Sequence, residues 1–528
     1  MVGWFDPGPL FATGISVIIS TLFGRHSDYR LLEALAAGSS DETYDYTRDG
    51  DTPREEMWLD YIADTGDGWN STYALAYWCS RPRLSVPTSY GARFHTRQGE
   101  ILIFGGDQVY PSASHRGYVE RLVKPFETAR NYSPEPVPDV FAIPGNHDWY
   151  DSLVSFSRLF CSGRWFQGWR TRQKRSYFAL KLPHGVWVVG ADVQLGSDID
   201  ALQIQYFKSV SARMSPGDRV IICTAEPHWV FASAYHAMDP EYNENNLRYF
   251  EKVLERNGAT IVAFIAGDLH HYRRHANEHG VQKITAGGGG AFLHPTHGAE
   301  AAPLAGGFGL KGAYPPESTS RRLAWRNLLF PFINPKFGLA MGALYGLLGY
   351  FWNEGRGMLL GPLLLILGFI LFTDTHSGWY RRVAGTLHGL AHAAAAWGLL
   401  VLTRNAAERL GISDPLAFEA FSGAFMFLAG GFVGCLLMGV YLLISLNVFG
   451  RHSNEAFSSL RIEDYKNFLR FHIAKDGTLT IFPIGLERVP RLWKPTGATS
   501  VYEPQLEPDD PNATEPHLIE PPVVLPQR

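Results

Sequence analysis

The stretch Asp139–Asp151, "DVFAIPGNHDWYD", runs an apolar segment, Val140 to Ile143, into Pro144-Gly145 and then sets an amide, an imidazole and a carboxylate side by side. A short apolar run ended by Pro-Gly reads as a buried strand meeting a turn. Gly145 and Asn146 tolerate the backbone angles that a sharp turn demands, so a purely structural reading of the triplet exists. The chemical reading is that Asn146 supplies an oxygen to a metal while His147, braced by Asp148, faces a substrate. The choice between them depends on whether similar clusters recur at other strand ends.

They do. "MWLDYIADTGDG" ends its apolar approach in Asp64-Thr65-Gly66, and "EILIFGGDQVY" runs Ile101 to Phe104 into Gly105-Gly106-Asp107, with Tyr110 three residues on. "RVIICTAEPHW" ends near Glu226 and His228, and "ATIVAFIAGDLHHY" ends in Gly267-Asp268-Leu269-His270-His271. With the opening stretch this makes five apolar strands, each delivering metal-ligand residue types at its C-terminal end. In open α/β sheets that edge is where sites are built.

The ordered set D-x-[HG], G-D, G-N-H-[DE], a strand-end histidine and G-[HD]-x-H resembles the calcineurin-like metallophosphoesterase superfamily over about residues 55–300. The combination "DTG…GDQVY…GNHD" is most similar to the purple acid phosphatase variant, in which the first motif ends in Gly and the second carries a Tyr. The resemblance implies a four-layer α/β (α+β) sandwich, two β-sheets flanked by helices, that hydrolyses a phosphomonoester or phosphodiester with a metal-activated water. It implies a first metal held by Asp64, Asp107, Tyr110 and His270, with Asp107 bridging to a second metal also held by Asn146. His147 would sit beside the phosphate and Asp148 would fix its ring. A Tyr110 phenolate is a hard anion that favours Fe³⁺, paired with Mn²⁺, Mg²⁺ or Zn²⁺.

Two departures affect the second metal. Ala225 stands where relatives place a histidine, and Asp268 stands for the first histidine of the last motif. Three readings stay open: His228 substitutes through a shifted loop; Glu226 and Asp268 make the site oxygen-rich, which suits Mn²⁺ or Mg²⁺ better than zinc; or the second site is weak or empty. His271 points away from His270, because neighbouring strand side chains face opposite ways. Asp192 lines the cleft or caps a helix. Gly287–Gly290 permit close backbone approach to another layer or a ligand, and His294 and His297 read as surface-loop histidines, with contact to substrate as the alternative.

The chain has 528 residues and a net charge of −4, which gives no sign of a nucleic-acid partner. Its four cysteines, Cys79, Cys161, Cys223 and Cys435, are far apart and form no C-x-x-C pair, which argues against a disulfide framework or a cysteine zinc site. After about residue 320 the composition changes. Four successive segments, at 337–352, 357–373, 383–403 and 418–450, are nearly free of charge and approach or exceed the roughly 20 apolar residues a membrane span needs. Arg321, Arg322, Arg326, Lys336, Arg381, Arg382, Arg451 and Arg461 flank one end of them, so the positive-inside rule places the large domain in the cytoplasm, at an inner or plasma membrane. His376, His388 and His392 lie in or near these segments and read as interhelical hydrogen-bonding groups.

The expected organisation is therefore an N-terminal apolar helix within residues 1–50, packed or interfacial with a fifth span as the alternative, and a phosphoesterase domain at 51–315. A four-helix transmembrane region at 325–450, a small cytoplasmic α/β cap at 451–500 and a disordered Pro/acidic tail at 501–528 follow. In the cap, residues 452–473 read as a helix and 477–489 as a strand. The function implied is a membrane-anchored phosphoesterase, with a lipid-linked phosphoester or a soluble nucleotide as substrate. The alternative is a degenerate domain acting as a membrane-bound sensor or scaffold.

Overall fold

The structure, a computed structural model, describes residues 1–8, 43–130, 137–166, 168–193, 199–235, 245–298, 303–353, 355, 359–373, 377–498, 503–510 and 515–525. The N-terminal apolar run and His376 lie outside the described residues.

Two sheets face each other across one core. In the first, Met57–Ile62, Ile101–Phe104 and Asp139–Ala142 run parallel as neighbours. In the second, Val186–Gly190, Arg219–Cys223, Thr260–Ala266 and Gln282–Ala286 do the same. These strands are apolar on both faces because both are covered. One face of each supplies the inter-sheet core, including Tyr61, Ile103, Phe141, Val188, Ile221 and Ile265. The outer face of the first sheet is covered by the helices Trp69–Cys79 and Lys124–Ala129. Ala201–Ser211 and Asn245–Glu255 cover the second. The result is the expected four-layer α/β sandwich.

The C-terminal region differs from the expected separate cap. Its helix is confined to Ser453–Ser458. Lys466–Ile473 is a strand paired antiparallel with both Leu479–Leu486 and Met57–Ile62, so it extends the first sheet. The residues alternate as a two-faced strand requires: Leu469, Phe471 and Ile473 enter the inter-sheet core, and Phe468 enters the outer one. Arg470 is fully buried beside Phe468 and pairs with Asp60 through Nε–Oδ1 at 2.6 Å and Nη2–Oδ2 at 3.0 Å, with the Cys79 carbonyl 2.9 Å away. Nor is the described part of the tail disordered. Val523–Leu525 and His517–Leu518 pair with Leu479–Leu486, Leu518 and Leu525 are buried, and Glu520 accepts from Arg274 at 2.6 and 2.8 Å and from Tyr272 Oη at 2.5 Å. A few well-spaced apolar residues and one carboxylate order a segment whose average composition is polar.

After the strand Gly309–Tyr314 and the short helices Glu317–Ala324 and Phe330–Ile333, the described residues up to Ser453 form four longer helices, Pro335–Asn353, Leu360–Phe372, Gly378–Arg409 and Pro415–Phe449. Of the four expected spans, the last two are long and apolar enough to cross a membrane, and Leu360–Phe372 is a shorter apolar helix. His392 Nδ1 meets Tyr345 Oη of a neighbouring helix at 2.9 Å, the interhelical bonding expected of it, while its Nε2 meets His388 Nε2 one turn away on the same helix at 3.1 Å. His297 is buried rather than superficial; it bonds Ser320 and, across to the last long helix, Asn447, each at 2.8 Å.

Replacing Arg470 with Met strands a buried Asp60 carboxylate, a loss of about 3–5 kcal/mol. Thermal unfolding in detergent should show a clearly lowered midpoint, with partial recovery in the Asp60→Leu, Arg470→Met double variant. An unchanged midpoint would mean the pair does not hold the returning strand.

Candidate metal centre

Each parallel strand ends in a turn that reverses the chain over the top of the core, and three of these turns use an aspartate in the left-handed region: Asp64 (φ 60°), Asp107 (φ 49°) and Asp268 (φ 66°). Such angles are uncommon outside glycine and collect at functional sites. They bring the carboxylates of three chain-distant segments together. Two glycines make room. A Cβ on Gly145 would lie 2.0 Å from Asp107 Oδ1, and one on Gly287 would lie 2.4 Å from Asp64 Oδ2. The glycine run after Thr285 therefore does permit close approach, and what it approaches is the opposite sheet's edge and Asp64.

Tyr110 Oη is the geometric centre of the first set. It lies 3.0 Å from Asp64 Oδ1, 3.3 Å from Asp107 Oδ2 and 2.9 Å from His270 Nε2. His270 is 3.8 Å from Asp64. Its Nδ1 meets the Phe292 carbonyl at 2.8 Å; a carbonyl only accepts, so Nδ1 carries the hydrogen and Nε2 presents a lone pair inward, the usual arrangement of a metal-binding imidazole. Asn146 Oδ1 and Asp107 Oδ1 each accept from the His147 amide at 2.9 Å, which brings those two oxygens together on one donor. Both Asp64 carboxylate oxygens accept from the Asp268 amide, at 2.9 and 3.1 Å.

The electrostatics of this cluster call for cations. Burial, then the charges of Asp107 and Asp268, drive the Asp64 carboxyl well above its usual range, opposed by hydrogen bonds from Tyr110 and the Asp268 amide. Burial pushes Asp107 to about 7. Glu226 is raised by burial and then by Asp268 and Asp107, so it faces the same acidic cluster. Buried carboxylates that raise one another are stable as anions only with positive charge between them. Among the described residues no three His, Cys, Asp or Glu side chains already close on a common ion-sized point; the Tyr110 hydroxyl stands between Asp64, Asp107 and His270, with a single hydrogen to share among the three. The donor set, carboxylates with one imidazole, one phenol and one amide, nevertheless fits hard cations. Asp64, Asp107, Tyr110 and His270 would hold one, and Asp107, Asn146, Asp268 and Glu226 a second.

Other assignments change. Asp148 does not brace His147: it accepts from Tyr118 Oη at 2.5 Å and from the amides of Gly145 at 2.8 Å and Gln108 at 3.3 Å, so it holds the loop. The imidazole of His147 is instead held by its Nδ1 at 2.7 Å from the Pro111 carbonyl. His228 is turned into a small cavity lined by Ile222, Trp229, Phe250, Phe264 and Lys283, and none of the acidic cluster lines it. Ala225 does face the site, since a Cβ on Gly106 would lie 2.7 Å from its methyl, but a methyl donates nothing. Asp192 accepts from Trp149 Nε1 at 3.1 Å, and Asp200 rather than Asp192 caps the following helix. Two neighbours were missed. His294 stacks on His270 with ring centroids 4.0 Å apart, and Trp4 stands edge-on to Tyr110 and His147 at 6.1 and 6.0 Å. The proximity of "GAFLH" to the last motif was a cue for the first; nothing in the sequence signalled the second.

The family model described as "Calcineurin-like phosphoesterase" matches residues 57–272, and that stretch is a calcineurin-like phosphoesterase domain. Among solved structures, the chain is similar to "GAP50 the anchor in the inner membrane complex of Plasmodium", at 11% identity and TM-score 0.33 over 48% of this chain and 76% of that one. It is also similar to "Structure of PhoD", at 10% identity and TM-score 0.28 over 45% of this chain and 58% of the other. No curated protein matches the sequence.

A methyl at position 145 must displace the Asp107 carboxylate. Gly145→Ala should therefore lower bound metal per chain, read by elemental analysis after loading with Mn²⁺ and desalting, with a stability loss of about 1–3 kcal/mol from overpacking. Full metal content in this variant would remove Asp107 from the ligand set.

Proposed function

We propose that the chain is a membrane-anchored, metal-dependent phosphoesterase that splits a phosphomonoester or phosphodiester with water. The observation that carries this is the gathering of Asp64, Asp107, Tyr110 and His270 around one hydroxyl, with Asn146 on the same amide as Asp107. Cations bound among these groups supply Lewis acidity toward phosphoryl oxygens and make a nucleophile of water near neutral pH. The chain's own residues do the rest. Asp64, Asp107 and Asp268 fix the position of the positive charge, and Gly145 keeps Asp107 within reach of it. Burial lowers the His147 pKa to about 4, so the free ring is neutral, with its hydrogen on Nδ1 toward Pro111 and a lone pair on Nε2. A phosphoryl anion beside that ring favours its cationic form, which donates from Nε2 to the leaving oxygen as the ester P–O bond breaks.

The membrane part of the reading rests on surface chemistry. In the most apolar windows of Gly378–Arg409 and Pro415–Phe449 only 39% and 44% of residues are buried, whereas the core helix of a soluble protein is mostly buried. Leu363, Leu367, Leu387, Leu402 and Leu428 are among the large apolar side chains exposed on the four helices. A contiguous apolar surface of this kind requires a nonaqueous neighbour. The basic flanks, Arg321, Arg322, Arg381, Arg382 and Arg451, lie at the domain end of the bundle, which favours the cytoplasmic side for the domain.

Hydrolysis of 4-nitrophenyl phosphate and of bis(4-nitrophenyl) phosphate by purified protein, loaded with Fe³⁺ and Mn²⁺, tests the proposal. Asp107→Ala and His147→Ala should each lower kcat/KM by at least about a hundredfold. Iron held by Tyr110 should give a visible charge-transfer band that Tyr110→Phe abolishes. At most one ion per chain together with no hydrolysis of either ester would favour the degenerate sensor or scaffold.

A further inference from the structure

A cavity of about 890 Å³ opens on the bundle, walled by apolar side chains such as Leu344, Leu348, Leu364, Leu365 and Phe369, within the roughly 300–1,000 Å³ typical of ligand sites. Its polar lining residues, Asn454, Glu455 and Ser458, all come from the helix Ser453–Ser458, where the chain re-enters the domain. Two lines of contact join this cavity to the candidate metal centre. Trp4 lines the cavity and also stands edge-on to Tyr110 and His147. Asn454 lines it beside His294, which stacks on His270. The Trp4 indole N–H is buried and has no acceptor among the described residues, an unmet donor between the apolar cavity and the acidic cluster.

We propose that this cavity seats the hydrocarbon chain of a membrane amphiphile whose phosphoester is directed past Trp4 to the metal centre. The substrate class is thus a chain-bearing phosphoester rather than a soluble nucleotide. The proposal rests on the phosphoesterase reading for its chemistry, though the seating of the chain is testable without it. Leu360 and Leu364 line the cavity and are exposed, so a chain can enter sideways from the bilayer without crossing water. A wholly soluble phosphoester would make no use of an apolar cavity that shares Trp4 with the site. The indole N–H suits an ester or phosphoryl oxygen where chain and headgroup meet.

The test uses full-length protein in nanodiscs and a phosphatidic acid carrying a mid-chain diazirine, photolysed and mapped by mass spectrometry. Adducts should concentrate on residues 344–369, be competed by hexadecyl phosphate and not by methyl phosphate, and fall at least about tenfold in Gly368→Trp. Gly368 lines the cavity and has open space at its Cβ, whereas Gly346 has the same space and does not line it. Gly346→Trp should leave the adduct yield as it is. Hydrolysis of hexadecyl and methyl phosphate is read in parallel. The expected adducts without hydrolysis of any ester would sustain the seating of the chain and defeat the phosphoesterase reading. Hydrolysis of soluble esters with adducts scattered over the bundle surface, or insensitive to Gly368→Trp, would overturn the cavity assignment alone. A benzophenone side chain placed at Leu364 that cross-links to residues 9–24 instead of to lipid would also overturn it, since the chain's own apolar run would then be the occupant.

Discussion

The pairing of Lys466–Ile473 with Met57–Ile62 constrains everything else, because the first sheet is complete only after the chain has passed through the bundle. A chain that leaves a domain and must return to the same sheet crosses any membrane an even number of times. Among the described residues the helices long and apolar enough to cross are two, Gly378–Arg409 and Pro415–Phe449, an even number. The returning strand also supports the site directly. The Asn467 amide donates to the Gly288 carbonyl at 3.0 Å, and Lys466 Nζ donates to the Ala291 carbonyl at 2.5 Å. Those contacts hold the glycine loop, whose Gly287 borders Asp64 and whose Ala291 amide donates to the Asp64 carbonyl at 2.8 Å. The candidate metal centre is therefore built from both sides of the bundle in sequence.

The site itself is a place where the fold works against its own stability. Left-handed aspartates cost of order 1–3 kcal/mol each, and burying carboxylates beside one another adds a desolvation cost that no interaction within the cluster removes. Such a cluster persists only because the surrounding parallel strands, apolar on both faces, fix their ends rigidly. The same logic accounts for the roles of Asp148 and Asp64. Asp148 is held by a phenol and two amides and so positions the loop, although burial and the Asp107 charge raise it as well, whereas Asp64 is raised by burial and then by the charges of both Asp107 and Asp268.

Much of this was legible in the sequence, for a physical reason. Strand ends that bear ligand-type residues leave a local signature, so Asp64, Asp107, Tyr110, Asn146 and His270 could be named from four short stretches. What failed was anything set by long-range pairing. "YKNFLRFHI" carries charges at Lys466 and Arg470 that read as a helix surface, and only Asp60, some four hundred residues away, makes a buried strand of it. The acidic tail read as disorder because composition averages over Leu518, Glu520 and Leu525, which are the residues that dock it. The order Asn146-His147-Asp148 suggested a brace, yet successive side chains at a helix start diverge, and the brace came from the Pro111 carbonyl instead.

The first eight residues show why domain and bundle are not separable modules. The Val2 amide donates to Asp67 Oδ1 at 2.7 Å, next to the first motif, while the Phe292 amide takes the other Asp67 oxygen at 3.1 Å. Four residues on, Asp6 accepts from Lys336 at 2.9 Å at the start of the first bundle helix and from Arg461 at 3.1 Å on the returning chain. Between these anchors Trp4 and Phe5 face opposite duties, Trp4 toward Tyr110 and His147 and Phe5 against Phe330 and Phe337 of the bundle approach. A shift of the bundle relative to the domain has to move this short segment, and moving it changes the ring packed beside His147. Bundle and site geometry are therefore coupled through a handful of residues.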